Sequence, residues 1–162
     1  MDLIVKTFTR DNYKAMQACS EMFSDAKNRN SNSGFSLGGR SNIINTCDYF
    51  VCAFDEDKHL IGFLALAEEY LAEGDIYIAQ ALVDDKYQNK GVATELMKHL
   101  MTHSKGYKYV TAEVNFDNAA SNKLFQKAGF EVFSDSGRYH CYAFDTRNIK
   151  NNKALVSTSK KR

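Results

Sequence analysis

The stretch that most limits how this chain can fold is a change of period between residues 76 and 101. Ile76-Tyr77-Ile78-Ala79-Gln80-Ala81-Leu82-Val83 is a nearly unbroken apolar run of strand length. A polar turn follows, Asp84-Asp85-Lys86-Tyr87-Gln88-Asn89-Lys90-Gly91. Beyond it Val92, Ala93, Leu96, Met97, Leu100 and Met101 recur at helical spacing, with Glu95, Lys98, His99 and Thr102 opposite. A strand, a glycine-bearing turn and a helix start aim several backbone N–H groups at one place. The helix dipole adds partial positive charge there, so the place suits an anion such as a phosphate. The spacing Gln-x-x-Gly-x-Ala matches neither the dinucleotide fingerprint nor the P-loop. Alone, it also fits an ordinary strand-to-helix connection.

The rest of the chain narrows the class. Its 162 residues make one domain, large enough for a core without staples. The cysteines, Cys19, Cys47, Cys52 and Cys141, are far apart and form no Cys-x-x-Cys pair. That speaks against a metal ribbon or redox motif and for core thiols in a reducing compartment, so the expectation is a cytoplasmic protein without a metal. No apolar run reaches membrane-spanning length. Met1–Lys6 is broken by charge and reads as a first strand, not a signal peptide. Residues 146–162 hold Arg147, Lys150, Lys153, Lys160, Lys161 and Arg162 and no acid, while the formal net charge is only +1. The folded body therefore shows no basic patch, and nucleic acid is not an expected partner. The tail reads as solvated and disordered, which sets the domain at 1–145.

In chain order, Leu3–Phe8 alternates as a strand. Residues 11–23 form an amphipathic helix with Tyr13, Ala15, Met16, Cys19 and Phe23 near helical spacing and Thr9 or Asp11 as its cap. Residues 24–41 are loop chemistry, too polar and glycine-rich for a core, with a short helix near residues 40–45. Tyr49–Phe54 and Leu60–Ala67 make an antiparallel hairpin across Asp55–Lys58. Tyr107–Val114 is a strand with Val110, Ala112 and Val114 on one face. Residues 118–128 are a helix with Ala120, Leu124, Phe125 and Ala128 inward and Gly129 as C-terminal cap. Strands at 131–133 and 139–144 flank a turn at Asp135-Ser136-Gly137. Hairpins mixed with crossover helices imply an α/β fold with helices on both faces of the sheet.

Two segments resemble one known family. Val83-Asp84-Asp85-x-Tyr87-Gln88-x-Lys90-Gly91-Val92-Ala93-Thr94 is similar to the acyl-CoA pyrophosphate loop of the GNAT superfamily of N-acyltransferases, with Asp85 where proline is common and Ala93 for the last glycine. Asn118–Phe130, ending Leu124-Phe125-Gln126-Lys127-Ala128-Gly129-Phe130, is similar to the same family's Asn-initiated helix. The resemblance spans residues 1–145. It implies a mixed, mostly antiparallel sheet of six to seven strands flanked by helices and splayed at a central parallel pair. It implies acetyl-CoA as cosubstrate, held by Gln88, Asn89, Lys90, Gly91, Val92, Ala93 and Thr94 at the pyrophosphate. The backbone of Leu82 and Val83 would hold the pantetheine arm, with an oxyanion donor close by, and Asn118 and Phe125 would complete the cofactor site. Asn is also a good helix cap, so Asn118 can serve in that role as well.

The implied activity is transfer of an acetyl group to a primary amine of a small molecule or a peptide by direct attack. That needs a base, an oxyanion donor and a route for the returning proton. Members often place a tyrosine acid where this chain has Phe125, and some place a glutamate base where it has Tyr77. The substitutes are Glu113, with Glu68 or Asp75, as base, and Tyr139, with Tyr142 or His140, as acid. Glu113 and Tyr139 lead each set. The acidic residues Glu68, Glu69, Glu73 and Asp75, with Asp84 and Asp85, point to a cationic acceptor such as a polyamine. The missing pair leaves a second reading, a catalytically degenerate CoA-binding module, and the basic tail a third, an RNA-directed acetyltransferase. Family members are often dimers, so a homodimer is also expected.

Overall fold

The protein, seen as a computed structural model, is described over residues 2–28 and 41–151. Seven strands form one sheet: β1 Ile4–Thr9, β2 Tyr49–Phe54, β3 Leu60–Glu68, β4 Ile76–Val83, β5 Tyr109–Asn115, β6 Glu131–Ser136 and β7 Tyr139–Asp145. The helices are α1 Tyr13–Asn28, α2 Val92–Thr102 and α3 Ala119–Lys127. The spatial order is β1-β2-β3-β4-β5-β7-β6, and every neighbouring pair is antiparallel except β4 and β5. This is the expected α/β architecture. Among the described residues, no helix is long and apolar enough to cross a membrane.

The sequence explains the layers. All eight residues of β4 are buried because both its faces are covered, and an apolar run without alternation suits that position. Ile76, Ile78, Ala81 and Val83 pack with Val92, Leu96, Met97, Leu100 and Met101 of α2 and with Phe125 of α3. Tyr77, Ala79 and Leu82 face the other way, into a second cluster with Cys19, Phe23 and Ala26 of α1. The apolar stripes of α1 and α2 thus clamp the sheet from opposite sides.

Several expectations shift. Helix α1 starts at Tyr13 because the Asn12 side chain accepts from the Ala15 N–H at 3.0 Å, so Asn12 is the cap in place of Thr9 or Asp11. Tyr13 is exposed, not inward. Helix α1 also runs on to Asn28 with Ala26 buried, which takes the first residues of the expected loop. The remainder of that loop, 29–40, lies outside the described residues. The short helix is a 3-10 turn at Ser41–Thr46. In α3, Ser121 is buried and Ala120 is exposed, one position off the inward set expected. Strand β6 runs on through Asp135 and Ser136, so the hairpin turns at Gly137-Arg138. The described chain does not stop at Asp145. Thr146–Asn151 continues as a 3-10 turn, its Thr146 hydroxyl donating to Tyr107 O, and Ile149 is buried in the α2-side core. Residues 152–162 of the basic tail lie outside the described residues.

All four cysteines are free and buried. Burial first, then the neighbouring Asp48 carboxylate, pushes the Cys47 thiol from 9.0 up to about 12. The folded state keeps that proton while an unfolded chain releases it above pH 9.0. The stability associated with this thiol is therefore complete below about pH 9 and is lost as pH rises toward 12, by at most about 1.4 kcal/mol per pH unit. We expect the stability gap between the native protein and Cys47→Ala, measured by urea unfolding, to narrow between pH 8.5 and 11. A constant gap would show that burial does not hold the proton.

Candidate active site

The site begins where the sheet divides. β4 and β5 pair only at Ile76–Val110, Tyr77–Thr111 and Ile78–Ala112, although β4 continues to Val83 and β5 to Asn115. Past Ile78, β4 stays with β3 as far as Val83, whereas β5 stays with β7 along its whole length. The register opposite Ala65 and Leu66 jumps from Gln80 to Ile78, so Ala79 is an extra residue in β4. Such a bulge bends and twists its strand, and here it turns β4 out of the parallel ladder.

The antiparallel ladder decides which backbone groups line the fork. Asp84 N–H donates to Ile61 O at 2.8 Å while Gly62 stands opposite Val83. Antiparallel bonding alternates, so the N–H and C=O of Leu82 turn toward Phe63, and those of Ala81 and Val83 turn toward the fork. Leu82 was expected to offer backbone groups there; the ladder gives that position to Ala81. Val83 keeps its place, though its carbonyl accepts from Gln88 Nε2 at 2.6 Å.

The turn after β4 is shaped as a phosphate cradle requires. Asn89 at φ 61° and Gly91 at φ 83° are both left-handed, separated by Lys90. Alternating handedness makes successive N–H groups converge. Helix α2 has no side-chain cap, and its first internal bond is Glu95 N–H to Gly91 O at 3.0 Å, which leaves the N–H groups of Val92, Ala93 and Thr94 without helical partners. A Cβ on Gly91 would meet nothing within 4 Å, so the approach is open. Gln88 is turned inward, its side chain on Val83 and its N–H toward Asp85 O at 3.4 Å. The loop is tied down by the Tyr87 hydroxyl, which donates to Asp55 at 3.1 Å. That carboxyl, held below the usual range first by the His59 N–H, secures its own hairpin turn as well.

The carboxylate at the fork comes from β5. Glu113 lies one residue past the last ladder pair, on the α1 side of the sheet with Tyr77. The Tyr77 hydroxyl donates to Glu113 Oε1 at 2.9 Å, and Cys141, opposite Glu113 on β7, brings its thiol to 3.8 Å from Oε2. Burial first, then the Glu113 bond, keeps the Tyr77 hydroxyl protonated far above its ordinary range. It is therefore a constant donor, and it pins a carboxylate that retains lone pairs for an incoming N–H. Of the other base candidates, Glu68 receives the Tyr107 hydroxyl at 3.0 Å and Asp75 is buried beside the β3–β4 connection.

The remaining candidates separate by burial. Phe125 is fully enclosed, edge-on to Phe130 at 4.9 Å and stacked on Tyr142 at 5.5 Å, so it is a core residue and gives no surface to a cofactor. Its C-terminal turn is a Schellman cap: Phe130 N–H bonds Phe125 O, Gly129 N–H bonds Gln126 O, and Gly129 has φ 94°. Tyr142 is equally buried and bonded to Asn122 and Gln126, which removes it as an acid. His140 is bonded to Asp135 at 2.7 Å. Tyr139 is half in solvent opposite Asn115, at the open end of β5 and on the Glu113 face. Asn118 caps α3 by accepting from Ser121 N–H at 3.1 Å. Tyr70, which the sequence did not single out, stacks on Tyr77 with ring centroids 4.4 Å apart. The only hint of it was an aromatic residue inside an acidic connection. A separate 260 Å³ cavity, with Val51, Leu66, Ile76 and Leu100 among its walls, lies beneath the C-terminal end of α2 and away from the fork.

The chain also matches known proteins. The profile of the Acetyltransferase (GNAT) family matches residues 13–130. The chain belongs to that family. An L-2,4-diaminobutyric acid acetyltransferase from Halalkalibacterium halodurans is 30% identical over 61% of this chain. The match spans 55% of that relative's length. Among solved structures, a GNAT-family protein from Desulfovibrio desulfuricans superposes with a TM-score of 0.68 at 14% identity, over 90% of this chain and 99% of its own. The PaiA N-acetyltransferase of Thermoplasma acidophilum, solved in complex with coenzyme A, gives 0.63 at 14% identity over 90% and 99%. At those identities the likeness is one of fold.

The cradle depends on how closely α2 approaches the sheet at Gly62. A Cβ there would stand 3.2 Å from Leu82 O, 3.2 Å from Val92 Cγ1 and 3.3 Å from Leu96 Cδ1. We expect Gly62→Val to lower unfolding stability in urea by about 1–3 kcal/mol, the usual cost of overpacking. No loss would mean that α2 is free to shift away from β3.

Proposed function

We propose that this protein transfers an acetyl group from acetyl-CoA to a primary amine of a small molecule or peptide, with Glu113 as the base. The observation that carries the reading is the fork itself: backbone groups of Ala81 and Val83 turned into it, and a tyrosine-anchored carboxylate at its vertex. Family membership and the relative named for a diamino acid support an amine acceptor.

Acetyl-CoA supplies an activated acyl group and a pyrophosphate. The residues present fit it. The uncapped N–H groups of Val92, Ala93 and Thr94, with the Asn89–Gly91 cradle, would hold the pyrophosphate. Ala81 and Val83 would hold the amide-bearing arm as an added strand does. The Ala81 N–H faces the place where negative charge develops and is the oxyanion donor in this reading. Glu113 accepts the proton of the incoming ammonium, directly or through one water, while Tyr77 fixes its orientation. Phe125 cannot give a proton to the departing CoA thiolate; in this reading Tyr139, on the same face at the open end, would donate it. The free thiols support a cytoplasmic setting.

Two substitutions separate binding from chemistry. Glu113→Gln keeps an acceptor for Tyr77 but removes the base, so kcat/KM for amine acetylation should drop by about 100-fold or more while CoA affinity holds. Gly91→Asp places a carboxylate against the pyrophosphate and should weaken CoA at least about tenfold by calorimetry. Thiol release that survives Glu113→Gln would remove Glu113 from the mechanism. CoA affinity untouched by Gly91→Asp would remove the cradle.

A further inference from the structure

The vertex of the fork carries an aromatic step that proton removal does not use. Tyr70, in the connection between β3 and β4, lies nearly flat on Tyr77, the planes 16° apart and the centroids 4.4 Å apart. Tyr77 is 7% exposed but Tyr70 is 55% exposed. One face of the Tyr70 ring therefore rests on Tyr77, and the other is open to solvent. The backbone is bent to put it there. Glu69, just before it, sits at φ 55°, a conformation uncommon for a residue with a side chain, and its N–H closes the base of the loop on Asp75 O at 2.8 Å. Strained backbone of this kind gathers at ligand sites.

The connection carries acids only, although the Lys108 side chain, from just before β5, packs against its Gly74. Residues 68–83 contain Glu68, Glu69, Glu73 and Asp75 and no lysine or arginine. Glu68 and Asp75 are engaged elsewhere, which leaves Glu69 and Glu73 on the exposed loop. On the same face of β5 stand Thr111, Glu113 and Asn115, with Cys141 and Tyr139 opposite on β7. An open aromatic face on an acidic connection attracts a cation, and an alkylammonium suits it because its methylenes can also cover the ring.

We infer that the acceptor is an aliphatic amine carrying a second, protonated nitrogen, and that the open face of Tyr70 binds this second cation while Glu113 receives the reacting amine. The identity of the reaction rests on the acetyltransferase reading; the binding does not. The second nitrogen makes and breaks no bond. Its charge sets the register of the carbon chain, so that the far amine arrives at Glu113.

The test compares butane-1,4-diamine with butylamine, matched in length and differing by one cation. On the CoA-loaded protein, calorimetry should show the diamine binding roughly three- to thirty-fold more tightly, the range of one cation–aromatic contact. In acetyl-CoA turnover the same ratio should appear in KM rather than in kcat. Tyr70→Ala should bring the diamine down to the level of butylamine, and Tyr70→Phe, which keeps the ring, should preserve the preference. A native protein that binds the two amines equally, or a Tyr70→Ala variant that keeps the preference, would overturn the inference even if both amines are acetylated. If neither amine is acetylated but the diamine preference is present and depends on the Tyr70 ring, the cation subsite stands and the diamine falls as the acceptor.

Discussion

One extra residue in a strand organises this molecule. With Ala79 bulged, β4 remains with β3 while β5 remains with β7, and the parallel ladder ends after Ile78–Ala112. A sheet that stayed closed would have bonded the N–H and C=O groups of Ala81 and Val83 to β5. Opening it gives up ladder bonds in a strand buried on both faces; Gln88 Nε2 meets the Val83 carbonyl, while the Ala81 groups and the Val83 N–H face the fork. The fork is thus a site that wants a strand-like partner, and the helix-start cradle at Asn89–Thr94 lies at the same end of β4.

The candidate base follows from the same geometry. A carboxylate on β4 itself would use the Tyr77 position. Here tyrosine holds that position, and the acid comes from β5, where Glu113 emerges as the strands separate. The two meet at 2.9 Å, so the tyrosine does not replace the missing glutamate but orients one from the neighbouring strand. Phe125 went the other way. Enclosed by Phe130 and Tyr142, it contributes packing at a position where its family often has a proton donor.

Much of this was readable in the residues. The hairpin Tyr49–Glu68, helix α2 and the Gly129 cap follow from alternation, helical spacing and the conformational freedom of glycine, all of which are local. Errors came where local rules compete. Thr9, Asp11 and Asn12 can all cap a helix, and only the path of the chain selects Asn12. Thr146–Asn151 looks like the start of a basic tail, yet Ile149 has a core to enter. Leu82 and Ala81 are both apolar residues in one strand, and nothing but the β3 register says which of them turns its amide to the fork.

The sequence by itself determined the order of elements, the strand–turn–helix of the candidate anion cradle, and the family, because these depend on the period and type of neighbouring residues. Tertiary structure alone decided the rest: the bulge at Ala79, the pairing of Tyr77 with Glu113, the burial of Phe125 and the placing of Tyr70 over Tyr77. Each joins side chains or backbone groups from elements far apart in the chain, or depends on the register between strands. Such contacts are fixed by how the packed layers meet, which no local pattern encodes.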